Sequence, residues 1–171
     1  MAIGDELGNW DGKSTAYLEA IYARTHGAPQ LIDELIRSLD ELPLQPGASW
    51  LLKHSLEQGA RLSSAQTDEL LNRLASLRDW PATLHLLQCL PWLQMSTDHK
   101  GAVEPFVRDN LTSQNKFVRA WALNGFILLS HQFDELAAEA DSRVAHALEN
   151  EAPSVKARLR AIFKEHDKRA R

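Results

Sequence analysis

The sequence predicts an all-α chain: a solenoid of about four helical hairpins behind an N-terminal capping helix. Three observations predict it. One apolar pattern is written twice, 37 residues apart. In 103–130, Val103, Phe106, Val107 and Leu111 precede Val118, Ala122, Gly125 and Phe126; in 140–164, Ala140, Arg143, Val144 and Leu148 precede Val155, Leu159, Ile162 and Phe163. Fainter copies of the same hairpin stand before them. No run alternates with period two for long enough to demand a strand. A recurring hairpin cannot bury its apolar face alone, so its recurrence implies stacking on neighbours.

Residues 1–13 read as a leader, 14–168 as a single repeat domain and 169–171 as the end of a basic tail. The leader is rich in Gly and Asp, and its Trp10 fits disorder, a loose contact or a functional role. Ser14 or Thr15 can cap a helix bearing Tyr17, Leu18, Ile21 and Tyr22, which Gly27 and Pro29 end; this helix covers the stack. The second helix of each hairpin then serves as a ruler. Its apolar face runs Ala48, Leu51, Leu52, Ser55, Leu56; then Ala82, His85, Leu86, Cys89, Leu90, Leu93; then Val118, Trp121, Ala122, Gly125, Phe126, Leu129; then Val155, Arg158, Leu159, Ile162, Phe163. Each set follows the i, i+3, i+4, i+7 spacing of one helical stripe. The first helices agree, since Leu35, Ile36 and Leu39 correspond to Leu70, Leu71 and Leu74, to Phe106, Val107 and Asn110, and to Arg143, Val144 and Ala147. Breaks fall at 43–47, Gly59, 79–81, 96–101 and 113–115.

The segment VEPFVRDNLTSQNKFVRAWALNGFILLS resembles the HEAT/armadillo-like repeat, with Pro105 inside the first helix, a short polar turn, and Val118, Arg119 and Ala122 opening the second helix. Residues 140–164 are similar, with Val155-Lys156 in place of Val-Arg, and the resemblance extends over about 31–165. It implies a right-handed α-solenoid. It also implies a ladder of turn acids and helix bases, here Asp79 with Arg119 and Glu149 or Glu151 with Lys156. The third turn departs from the pattern with Asn115, and the second hairpin with Pro81-Ala82.

At 171 residues the chain is long enough to bury a core without staples. The single Cys89 cannot form an internal disulfide, the opening MAIGDELGNW lacks the basic and apolar character of a secretory signal, and no apolar run reaches a membrane span. A cytoplasmic protein without a membrane partner is expected. The net charge of −4 is asymmetric: residues 155–171 hold seven Lys/Arg against Glu165 and Asp167, a net of +5, and the rest carries −9. The basic segment either touches an anionic partner or complements a helix dipole and aids solubility.

Candidate binding residues come from the ruler. Six positions beyond each start stand His54, Gln88 and Asn124, and then Ala161. The three polar side chains either form a row that reads a peptide backbone or tie neighbouring helices together. Trp50 and Lys53 flank His54 and suit an interface anchor, although a partly buried Trp is ordinary in a helical stack. Arg119 belongs to the Val-Arg motif. Trp121 lies on the buried stripe. The histidines lack metal-ligand spacing, Cys89 falls on an apolar stripe, and no phosphate-binding glycine loop occurs, so no catalytic residue, metal or cofactor is expected.

The favoured function is a noncatalytic protein–protein interaction scaffold whose concave groove holds a segment of another protein. One alternative is nucleic-acid binding, related to the HEAT-like alkylpurine DNA glycosylases, which the acidic body disfavours. A second is a bilin lyase-like repeat protein, suggested by fold-level likeness alone.

Overall fold

The computed structural model describes residues 3–169, which form ten α-helices and no strand. They divide into two compact units, Met1–Val103 and Glu104–Arg171, where the sequence suggests one domain over 14–168. The first unit contains α1 (Ile3–Gly8), α2 (Thr15–Thr25), α3 (Leu31–Ser38), α4 (Gln45–Glu57), α5 (Ser64–Asn72) and α6 (Trp80–Cys89). The boundary falls in α7 (Lys100–Asn110); the second unit continues with α8 (Lys116–Ser130), α9 (Ala137–Asn150) and α10 (Pro153–Arg169).

Local chemistry sets the helix ends. Ser14 caps α2 by accepting from the Tyr17 N–H, and Ser63 and Gln66 form a reciprocal capping box on α5. Asp79 caps α6 through the Ala82 N–H, with Pro81 in the first turn. Asn115 caps α8 by accepting from the N–H groups of Phe117 and Val118, which explains an amide where the repeat pattern has an acid. Gly59, at φ +98°, ends α4 in the left-handed region that a side chain would strain.

The ruler stripes are largely buried, but Arg158 of the fourth is exposed and His85, Leu93, Trp121 and Phe163 are half-buried. Ala48, Leu51, Leu52, Ser55 and Leu56 on α4, and Ala82, Leu86, Cys89 and Leu90 at α6, all face the core of the first unit. There α4 packs on α3 and most extensively on α6, and α3 also meets α5. Polar bonds join residues about one hairpin apart: Gln66 Nε2 donates to Asp33 Oδ1 (2.7 Å), Arg73 Nε to Asp40 Oδ1 (2.9 Å), and His99 Nε2 lies 2.7 Å from Asp68 Oδ1. Gln45, 2% exposed, reaches four backbone groups. Its Nε2 donates to the carbonyls of Leu39 (3.0 Å) and Ser76 (3.4 Å), and its Oε1 accepts from the N–H groups of Arg78 (3.0 Å) and Asp79 (3.3 Å).

The leader is not disordered over 3–8. Ile3 and Leu7, one helical turn apart, are both buried, and α1 packs on α3 and on the short turn Leu42–Leu44. The Trp10 indole N–H donates to the Ser14 carbonyl at 2.9 Å. Gly47 makes room for this packing, because a Cβ there would stand 2.8 Å from Leu7 Cδ2 and 3.3 Å from Trp10 Cε3. Gly47→Val should therefore loosen α1, costing about 1–3 kcal/mol. Faster amide exchange over 3–8, with α4 and α6 still protected, is the expected result; unchanged exchange would refute the contact.

In the second unit α8 packs on α9 and α10, and α9 on α10. Ala120, Leu123, Ile127, Ala147, Val155 and Leu159 form the core cluster, with Leu111, Val144, Leu148 and Phe163 packed against it. Helix α8 is buried on nearly every side, including all of residues 122–127. Trp121 is half-buried instead of fully enclosed, with the Arg158 guanidinium 5.6 Å from its ring centre.

Within the second unit the expected rung from Glu149 or Glu151 to Lys156 gives way to one from Glu151 to Arg119. Arg119 donates through Nε and Nη2 to the two carboxylate oxygens of Glu151 (2.7 and 2.9 Å) and through Nη1 to the Ser113 carbonyl (2.8 Å), while Asp79 caps its own helix. Lys156 donates to the backbone carbonyl of Glu149 at 2.8 Å, not to a carboxylate. The guanidinium fork matches the two-oxygen geometry of Glu151, which a lysine point charge cannot.

Candidate functional site

The sequence-derived candidates separate. Trp50, Lys53 and His54 lie half-buried on α4. The Trp50 ring stacks on His54 (centroids 4.8 Å apart, planes 12° apart), and His54 meets Tyr22 of α2 edge-on at 4.6 Å. These faces pack α2 against α4. Lys53 Nζ pairs with Glu57 at 2.8 Å. Gln88 is half-buried on α6. Asn124 is only 1% exposed, enclosed on α8, and is not among the residues that line the cleft of the second unit. The apolar character of α8 on all sides is the signal that its polar member is enclosed. Arg119 is half-buried and paired to Glu151, and that pairing lowers the Glu151 pKa.

Below the aromatic cluster, His85 sits between α4 and α6. The Ser49 hydroxyl lies 3.0 Å from the Pro46 carbonyl, to which it donates, and 2.9 Å from Nδ1 of His85. Burial first, and the Lys53 charge second, hold the His85 pKa down to about 4. Cys89, one turn further along α6, is fully buried and its thiol is pushed up to about 12 by desolvation, which leaves it unreactive. The unfolded chain binds a proton at His85 from about pH 6.5 downward and the folded chain does not until about pH 4. Stability present above pH 6.5 is therefore lost as pH falls to about 4, by about 3 kcal/mol. Urea melts should show this slope and His85→Gln should flatten it; an equal slope in both chains would contradict the assignment. Glu139, held near 2 by hydrogen bonds from Arg108 and then Arg143, titrates below that window.

The second unit holds a cleft of about 630 Å³. Its floor is the outer edge of the core, with half-buried Leu111 beside the buried Ala120, Leu123, Ala147, Val155 and Leu159. Ser142, His146 and Asn150, all exposed and one turn apart on α9, form a polar edge. Asn150 Nδ2 donates to the His146 carbonyl (2.9 Å) and lies 3.2 Å from His146 Nδ1. Charge lines the remaining rim in matched sets: Arg119 with Glu151, and Arg143 with Glu139, which also takes a two-pronged bond from Arg108 (2.8 and 2.8 Å). Both Arg108 and Arg143 lie over the ring of the buried Phe126, at 4.8 and 5.6 Å. Sequence reasoning missed Ser142, His146 and Asn150, although their four-residue spacing was there to be read.

Among the described residues no His/Cys/Asp/Glu cluster fits a metal ion, and no helix is long and apolar enough to cross a membrane. Comparison with protein-family models, curated proteins and solved structures gave no match to this chain. The cleft falls in the roughly 300–1,000 Å³ range of ligand-sized sites and combines an apolar floor with a few placed polar groups. Because its guanidiniums are already matched by carboxylates, it suits a neutral, amphipathic occupant better than a polyanion.

Proposed function

We propose that the chain is a noncatalytic protein-interaction scaffold of HEAT/armadillo-like hairpins, and that the cleft of the Glu104–Arg171 unit receives a segment of another polypeptide. The cleft carries the reading: its space of about 630 Å³ gives room to side chains of a bound segment, and the Ser142–His146–Asn150 edge, spanning about 12 Å at 1.5 Å per residue, can bond an extended backbone. Polar bonds between residues about one hairpin apart within each unit support the repeat character, with a right-handed solenoid as its finer form. The aromatic cluster around Trp50 and His54 is a lesser surface, since its rings already pack on one another.

Selection of a random peptide library on the immobilised chain tests the proposal. Recovered peptides should carry apolar anchors, protect α8 and α9 from amide exchange, and bind Ser142→Trp at least tenfold more weakly, because an indole at that exposed edge blocks the cleft. Peptides that bind Ser142→Trp equally well, or that protect only residues 3–103, would refute it.

A further inference from the structure

We propose that the solvent face of α10 is a docking surface for an acidic helical segment of a partner protein, independent of the cleft. Lys156, Arg160, Lys164 and Lys168 recur every fourth residue along this helix. Such a row forms one ridge, rising about 6 Å per step and about 18 Å in all. Lys164 follows Val155 by about two and a half turns at 3.6 residues per turn, which places the ridge opposite the core stripe of Val155, Leu159 and Ile162. Arg160, Lys164 and Lys168 are exposed and have no ion-pair partner among the described residues. Glu165 and Asp167 lie beside the ridge, off its four-residue row.

Elsewhere the chain treats this spacing differently. Lys53–Glu57, Glu69–Arg73, Glu104–Arg108 and Glu139–Arg143 are all opposite-sign pairs one turn apart, the arrangement that supports a helix. Along the α10 ridge itself the four-residue neighbours are like-charged, which weakens it, although the sequence places Asp167 three residues after Lys164 and Glu165 three before Lys168. The helix dipole favours Lys168 in the last turn but disfavours Lys156 in the first, so capping electrostatics do not account for the whole ridge. A partner carrying carboxylates at the same four-residue interval relieves the repulsion and packs ridge against groove. An extended nucleic acid is disfavoured by the net −9 of residues 1–154. A membrane surface finds no apolar face to take up, because that of α10 lies in the core.

The probe is an alanine-rich helical peptide with glutamate at every fourth position, set against a scrambled peptide of the same composition, a short DNA duplex and phosphatidylserine vesicles. The ordered peptide should bind best, and its affinity should fall as salt rises. Lys164→Glu should weaken it at least tenfold while leaving the thermal melt equal or higher, because it alternates the signs along the ridge. Arg160→Gln with Lys164→Gln should weaken it similarly without reversing charge, and Lys13→Glu with Arg61→Glu, exposed cations of the other unit, should change it less than twofold. Equal binding of ordered and scrambled peptides, tighter binding of duplex or vesicles, or affinity unchanged in both ridge variants would overturn the proposal. Salt-sensitive self-association abolished by Lys164→Glu would also overturn it, by making a second copy the occupant.

Discussion

Phe126→Ala should bring the unfolding of the Glu104–Arg171 unit to a much lower urea concentration, at a cost of about 3–5 kcal/mol. The ring is fully buried on α8, so truncation forfeits its transfer energy and leaves a cavity that helices on several sides must partly fill. The loss has a second part. The guanidiniums of Arg108 and Arg143, bridged through Glu139, lie over the ring and would face the void instead. Phe126→Leu, which keeps most of the volume, should cost much less. Phe163 is only half-buried, so its alanine variant should cost less than that of Phe126 despite the equivalent place in the repeat pattern. Amide exchange along α8, read beside the urea melt, follows this unit separately from the other. Protection of α8 unchanged by Phe126→Ala would mean the ring is not enclosed as described.

Gln45→Leu is the polar counterpart. A leucine fills nearly the same space but leaves the carbonyls of Leu39 and Ser76 and the N–H groups of Arg78 and Asp79 without the amide that satisfies them. Buried polar groups left unpaired cost about 1–3 kcal/mol each; with water returning to the outer ones, the total should be about 4 kcal/mol. Gln45→Glu should be damaging too, since a carboxylate accepts from Arg78 and Asp79 but repels the two carbonyls and places a charge in a buried site. Urea melts of the three chains check this. A Leu variant as stable as the parent would show that water replaces the amide at the turn.

The functional consequence is one of positioning. Gln45 holds the turn before α4 against the turn before α6, and the same helices carry Trp50, His54 and Gln88. Arg119 holds an analogous place in the second unit, bonded to its own turn and to Glu151 in the next one at the rim of the cleft. An amide serves where the site is buried and a guanidinium where it is half-exposed, consistent with the desolvation cost of charge.

What the sequence alone determined is the helical character of the chain and the faces its helices bury. The stripes from Ala48 to Leu56 and from Ala82 to Leu90 are enclosed where the 3.6-residue period puts them, because burial of a helix follows its own apolar spacing. The cap at Ser14 was equally legible, being a local contact with Tyr17, whereas Asp79, read as a ladder acid, caps its own helix. Tertiary structure alone decided the rest. Whether Asn124 faces a groove or a core depends on how many helices surround α8, and the pairing of Arg119 with Glu151 rests on a spatial approach that spacing does not encode. The leader became a helix because Gly47 lets Leu7 and Trp10 come close, and the cleft exists because the floor residues of α8 and α10 meet the polar edge of α9. Periodicity reports which side of one helix avoids water; only packing determines which neighbour covers it and what gap remains.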